Sequence, residues 1–204
     1  MLYRFFKRLF DIICGLIGVI LLVPMTIIIK IAYMCTGDFH RIFFMQERIG
    51  YKGKVFKIIK YRSMAWDAEE RLQKLLKSKK YREQWEAYQK IDKDPRITKV
   101  GKRIRNGSID EFPQFINVLL GQMSMVGPRP LVLGELKEHK GKPEIYESVK
   151  PGVTGYWAVR GRSNNDYEDR LKMEYYYIEN RSVLLDIKII LWTFKAVLHQ
   201  DGAK

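Results

Sequence analysis

The chain has little of the chemistry that usually announces metal or redox proteins. Of its 204 residues only two are cysteine and three histidine. Cys14 and Cys35 form no CxxC pair and lie in or beside an apolar run. This excludes a zinc site built on paired cysteines and a disulfide framework. His40, His139 and His199 are scattered and suggest no shared role. There is no Walker A loop and no GxGxxG, so neither common phosphate-cradling loop is present. Internal repeats and low-complexity linkers are absent too. Acidic residues are the minority: 23 Asp and Glu against 37 Lys and Arg leave a formal charge of +14. Such an excess suits nucleic acid, an anionic membrane surface or a phosphorylated substrate. The length suffices for one domain with a real core.

What the chain does have is a long apolar run near its start. In residues 12–29 the only non-apolar members are Gly15, Gly18, Pro24 and Thr26. Those 18 residues approach the roughly 20 that a membrane-crossing helix needs. Arg4, Lys7 and Arg8 imitate the basic start of a signal peptide, but no small-residue cleavage site follows and Asp11 abuts the run. Pro24 removes a backbone hydrogen bond inside any helix and bends it. Basic residues flank both ends, with Lys30, Arg41 and Arg48 beyond the run. A spanning helix is expected to show positive charge mainly on one side. The pattern favours a helix that enters one leaflet, bends and returns. A spanning helix and a buried core helix stay as alternatives. Residues 1–36 are thus expected as a re-entrant anchor, and 37–204 as one compact domain.

That domain reads as α/β, mainly helical with a small sheet. Residues 41–46 and 54–62 look like short strands around a turn at Gly50-Tyr-Lys-Gly53. Residues 65–95 form a charged helical arm. Its Trp66, Leu72, Leu76, Tyr81, Trp85 and Tyr88 are available to the domain, the membrane or a partner subunit, which leaves a homodimer open. Residues 167–180 and 182–199 read as helices. The second is apolar almost all round, so burial on most sides is expected.

The densest signal is Ser108-Ile-Asp-Glu-Phe-Pro-Gln-Phe-Ile-Asn-Val-Leu-Leu-Gly121. Phe112, Phe115, Ile116, Leu119 and Leu120 recur at helical spacing, and Gly121 is a stop signal. Asp110 and Glu111 fall at the expected helix start, where free N–H groups keep a carboxylate ionised. There it can act as a nucleophile or bind a metal. The plainer reading is a capping box, Ser108-x-x-Glu111. Cations on both sides favour phosphate handling: Arg96, Lys99, Lys102, Arg103 and Arg105 upstream, and Arg129 between Pro128 and Pro130 downstream. Glycines in Pro151-Gly-Val-Thr-Gly155 and at Gly161 let backbone approach a ligand.

In order along the chain, these blocks resemble the bacterial sugar transferases, the monotopic phosphoglycosyl transferases. The matching segments are Lys7-Arg-Leu-Phe-Asp11, Phe56-Lys-Ile-Ile-Lys-Tyr-Arg-Ser-Met64, the Asp110-Glu111 helix, Gly127-Pro-Arg-Pro130, Val149-Lys-Pro-Gly-Val-Thr-Gly155 and Gly161-Arg-Ser163. The resemblance implies an enzyme at the cytoplasmic face of the bacterial inner membrane. It would move a phosphosugar from a UDP-sugar to polyprenyl phosphate, such as undecaprenyl phosphate, and release UMP. It assigns Asp110 as the nucleophile that holds a covalent phosphosugar, and Glu111 as its partner. Mg²⁺ is implied on Asp110 and Glu111. Lys60, Arg62, Arg105, Arg129 and Arg162 are the matching cationic positions for substrate, and Glu174 is the matching acidic one. No nucleic acid is implied. Three positions depart from the family pattern: Ala158 stands for Gln, Gln122 for an acidic residue, and Glu174 for Asp. Two rival readings are an inactive scaffold of the same family and a non-catalytic basic protein that binds a membrane surface or nucleic acid. The second leaves the carboxylate pair unexplained.

Overall fold

The computed structural model describes residues 2–88, 91–160 and 166–198. Helix α1, Leu2–Met34, opens the chain and continues through Pro24. At about 1.5 Å per residue it is roughly 50 Å long. Its buried residues are Asp11, Gly15, Gly18, Leu22, Ile29 and Tyr33, one stripe at helical spacing. The other faces are bare and apolar; Ile20, Val23 and Ile28 are each more than 60% exposed. Gly15 and Gly18 explain the close fit on the buried side. A Cβ at Gly18 would come within 2.2 Å of the Phe115 ring, and one at Gly15 within 2.7 Å of the Leu119 side chain.

Strands β1 (Phe43–Ile49) and β2 (Val55–Tyr61) form an antiparallel hairpin, with Phe44 opposite Lys60. The arm is two helices, α2 (Ala68–Leu75) and α3 (Lys79–Tyr88), where one stretch was expected. Leu72 is buried on α2, and Arg96 stacks on the Trp85 ring at 5.4 Å. Then follow α4 (Lys99–Asn106), a 3-10 turn at Ile109–Glu111 and α5 (Gln114–Leu119). Strand β3 (Ser124–Val126) pairs in parallel with β4 (Gly152–Thr154). Between them lie the single turns α6 (Glu135–Glu138) and α7 (Pro143–Tyr146). The chain ends with α8 (Tyr156–Arg160), α9 (Tyr167–Asn180) and α10 (Val183–Leu198). Two separate two-stranded ribbons thus stand in place of one small sheet.

Helix α1 is part of the core. Leu22, Ile29 and Tyr33 pack with Ile42, Tyr61, Val100 and Ile104. A second core joins Val126, Leu131, Leu136, Tyr177 and Ile189 under α9 and α10. The N-terminal part of α1 is fastened by polar groups. Lys7 and Tyr3 both donate to Asp186, at 2.7 and 3.0 Å. Arg8 donates to the carbonyls of Val118 and Leu119, both at 2.8 Å, closing the end of α5. Asp11 accepts from the Ser124 hydroxyl and the Met125 N–H. Helix α10 corrects the expected burial on most sides. Ile189 is fully buried, while Leu184, Ile187, Leu191 and Phe194 are 48–65% exposed in one row. Only one face of α10 has domain to pack against, so the rest stays bare.

Candidate active site

Asp110 and Glu111 lie on the 3-10 turn, one turn ahead of α5. The expected capping box is not built. Ser108 takes a left-handed conformation, φ 54°, and its side chain caps nothing. Glu111 instead accepts a 2.6 Å hydrogen bond from Lys60. What places the pair is Asn117, which is fully buried. Its side-chain oxygen accepts from the Ile59 N–H at 3.0 Å and its amide donates to the Lys57 carbonyl at 2.8 Å. Asn117 thus completes the free edge of β2 and fixes α5 beside Lys60. Arg105 reaches from α4, its Nε donating to the Ser63 hydroxyl at 2.8 Å.

The electrostatics follow from this placement. Burial, then the neighbouring Glu111 charge, raises the Asp110 pKa; Lys60 and Arg105 oppose the rise. The cations supply the attraction for anions that was expected of a helix start. The pair opens into a cavity of about 1400 Å³, lined also by Lys60, Arg105, Arg129 and Glu174. Arg129 leaves β3 in the Gly-Pro-Arg-Pro loop, which is held to β4 by bonds from Gly127 N–H to Thr154 and from Gly152 N–H to Pro128.

The other expected site residues divide. Arg62 lines the cavity but is only 6% exposed, and its donors are engaged. They reach the Arg41 carbonyl, the Met64 carbonyl and Asp38, at 2.8–2.9 Å. Its cation also faces the Tyr33 ring at 4.6 Å. Arg62 therefore clamps the end of α1 to β2, because a buried guanidinium needs all its donors satisfied. Arg162 lies outside the described residues. Glu174 is 1% exposed and accepts from the Arg129 N–H at 3.0 Å through Oε1. Burial pushes its pKa up to about 7, against the Arg129 N–H and the Arg170 and Arg129 charges. Of the departures, Ala158 lines the cavity, whereas Gln122 accepts from Asn117 and so belongs to the scaffold.

Three residues at the site were passed over in the sequence: Arg48, Trp157 and Arg170. Arg170 pairs with Glu135 at 3.3 Å, and the cations of Arg129 and Arg170 lie 5.9 and 5.0 Å from the Trp157 ring. Burial, then the Arg129 charge, pushes the Arg48 pKa down. The only signal was one arginine in β1 and one Trp-Arg pair thirteen residues apart, which no local pattern links.

Comparison with known proteins bears on the whole arrangement. The bacterial sugar transferase family matches residues 2–200. The chain is 42% identical over 201 residues to an undecaprenyl-phosphate galactose phosphotransferase of Salmonella typhimurium, covering 98% of this chain and 42% of that protein. It is 37% identical over 206 residues to a UDP-glucose:undecaprenyl-phosphate glucose-1-phosphate transferase of Klebsiella pneumoniae, covering 97% and 41%. With the exopolysaccharide production protein ExoY of Sinorhizobium fredii it shares 36% over 198 residues, covering 97% and 87%. The chain thus spans less than half the length of the first two relatives and most of the third. A match that runs from α1 to α10 and encloses the carboxylate pair and the Gly-Pro-Arg-Pro loop makes this chain a member of the bacterial sugar transferase family.

Proposed function

We propose that this protein transfers a phosphosugar from a UDP-sugar to a polyprenyl phosphate of the undecaprenyl type, forming polyprenyl-diphosphate sugar and UMP. The observation that carries the reading is the half-buried Asp110 beside Glu111, facing a large cavity between Lys60 and Arg105. An Asp110 carboxylate oxygen attacks the β-phosphorus of the donor. The bond from that phosphorus to the bridging oxygen breaks, and UMP leaves with the electron pair. An oxygen of the lipid phosphate then attacks the acyl phosphate, breaks its bond to Asp110 and restores the carboxylate. Lys60, Arg105 and Arg129 neutralise phosphate charge, without which one anion cannot approach another.

Mg²⁺ fits the pair. It is commonly held by one or two carboxylates together with substrate phosphates. Among the described residues no group of three acidic, His or Cys side chains gathers, so Asp110 and Glu111 would share the ion with substrate oxygens. When bound, it would neutralise pyrophosphate charge.

We place α1 in the cytoplasmic leaflet as a re-entrant anchor, residues 1–36, with residues 37–204 as the catalytic domain. The support is its attachment at both ends. Lys7, Arg8 and Asp11 bind the domain near one end. Near the other, Thr26 shares a 2.7 Å hydrogen bond with Tyr61, and Tyr33 donates to the Arg62 carbonyl. A helix crossing the bilayer would carry one end roughly 30 Å from that domain. Lys7 ties α1 to α10 through Asp186, and both helices carry bare apolar residues suited to lipid. The inner membrane follows from that lipid acceptor and the soluble sugar nucleotide.

The test is a panel of UDP-sugars with undecaprenyl phosphate, read by UMP release. Sustained release with one sugar, many UMP per protein and dependent on the lipid beyond the first, supports the reading. No release with any donor, while the protein still binds vesicles, favours the non-catalytic membrane protein.

A further inference from the structure

The cavity holds a second cluster, apart from the carboxylate pair. Among the described residues, five buried side-chain atoms lack any hydrogen-bond partner: Arg48 Nε, Trp157 Nε1, Arg170 Nε and Nη2, and Glu174 Oε2. They are neighbours. Arg170 and Glu174 are one turn apart on α9. Trp157 lies against Arg170, and Arg129 joins both, through its cation to Trp157 and its N–H to Glu174. Arg48, Trp157 and Glu174 line the cavity. Buried polar atoms are almost always paired, so a concentration of orphans at one place points to a missing ligand. Gly155 packs directly on the Gly127 carbonyl, which a Cβ there would meet at 2.2 Å, and so brings the backbone of the β4 end close to the cluster.

The pattern of orphans is specific. It is one acceptor set among donors. A phosphate would use the donors but would leave the Glu174 oxygen without a partner. A sugar hydroxyl would need no such array. The imide edge of uracil presents acceptor, donor, acceptor: O4, N3–H and O2. We infer that Glu174 Oε2 takes the N3–H of the donor's uracil, with Trp157 and Arg170 donating to the flanking oxygens. Arg129 then meets the adjoining phosphate. This rests on the UDP-sugar reading above and names the residues that choose the base.

The test uses the full chain in detergent or nanodiscs, with UMP, 3-methyl-UMP, CMP and inorganic phosphate as probes. Wild type should bind UMP at least about tenfold more tightly than the other three, because a site built around hydrogen bonds rejects an analogue that leaves its groups unpaired. Glu174→Gln keeps an oxygen for the Arg129 N–H but turns an N–H towards the base. It should weaken UMP and strengthen CMP, whose N3 accepts. Trp157→Phe should weaken UMP severalfold and leave phosphate binding alone. Equal binding of UMP and 3-methyl-UMP, an unchanged UMP-to-CMP ratio in Glu174→Gln, or phosphate binding as tightly as UMP would each overturn the assignment. A wild type that ignores UMP but turns over another nucleotide sugar overturns instead the UDP-sugar reading itself.

Discussion

In the proposed mechanism Asp110 must be ionised to attack phosphorus, yet burial and Glu111 raise its pKa. Turnover is therefore expected to fall on acidification before an ordinary carboxylate would be protonated. Lys60→Met removes an opposing cation and should move that acid limb to higher pH, with kcat lowered on the order of tenfold to a hundredfold. A pH–rate profile identical to wild type would contradict this. Two arginines that the family resemblance matched to substrate differ in the structure. Arg129→Lys loses the bidentate fork and should lower kcat/KM by about tenfold or more with little change in stability. Arg62→Leu takes the Arg62 donor away from Asp38 Oδ2 and from two carbonyls, leaving Asp38 only its His40 bonds, and should cost about 3 kcal/mol in denaturant unfolding. Glu174 gives a stability signature. Its pKa of about 7 lies above the ordinary 4.5, so the fold favours its protonated form. That stabilisation is complete below the ordinary value and is lost as pH rises towards 7. Relative to Glu174→Gln, the wild type should lose about 3 kcal/mol across that window. Parallel stability curves would show that Glu174 is not strained by burial.

At the scale of elements, the docking of α1 on α5 is the contact most exposed to a single change. Gly18→Val forces a side chain into the Phe115 ring and should cost about 2 kcal/mol or more. Because α5 follows directly on the carboxylate pair, activity should fall with it. The topology has its own test. Leu2→Cys and Phe39→Cys, in a chain lacking Cys14 and Cys35, should both resist an impermeant thiol reagent until cells are opened. Labelling of position 2 from outside would establish a spanning helix. Much of this level was legible in sequence. Period-two and helical spacing gave the β1–β2 hairpin, α9 and α10, since those patterns are local. The short α5 was not. Its apolar residues continue to Leu120, but the turn at Ile109–Glu111 and Pro113 delay regular helix until Gln114. Nor was the role of Lys7-Arg-Leu-Phe-Asp11. Read as a basic flank, it is a set of contacts to Asp186, Val118, Leu119 and Ser124, more than a hundred residues away.

For the whole molecule, charge and apolar surface divide the work between two phases. In the arrangement proposed above, the +14 chain would turn the bare apolar faces of α1 and α10 to lipid, and its cavity would take a soluble, anionic donor. The carboxylate pair was visible because adjacent acids among cations stand out in a line of text. The Glu174 cluster was not, because Arg48, Trp157 and Arg170 meet only through β1, α8 and α9. The proposed two-step transfer depends on Asp110 carrying the phosphosugar. Intact-protein mass spectrometry after incubation with the UDP-sugar, in the absence of lipid acceptor, measures this directly. The wild type should gain the mass of one phosphosugar and release one UMP, lose that mass when undecaprenyl phosphate is added, and show neither change as Asp110→Asn. UMP released only when lipid is present, with no adduct at any time, would mean direct transfer and contradict the account.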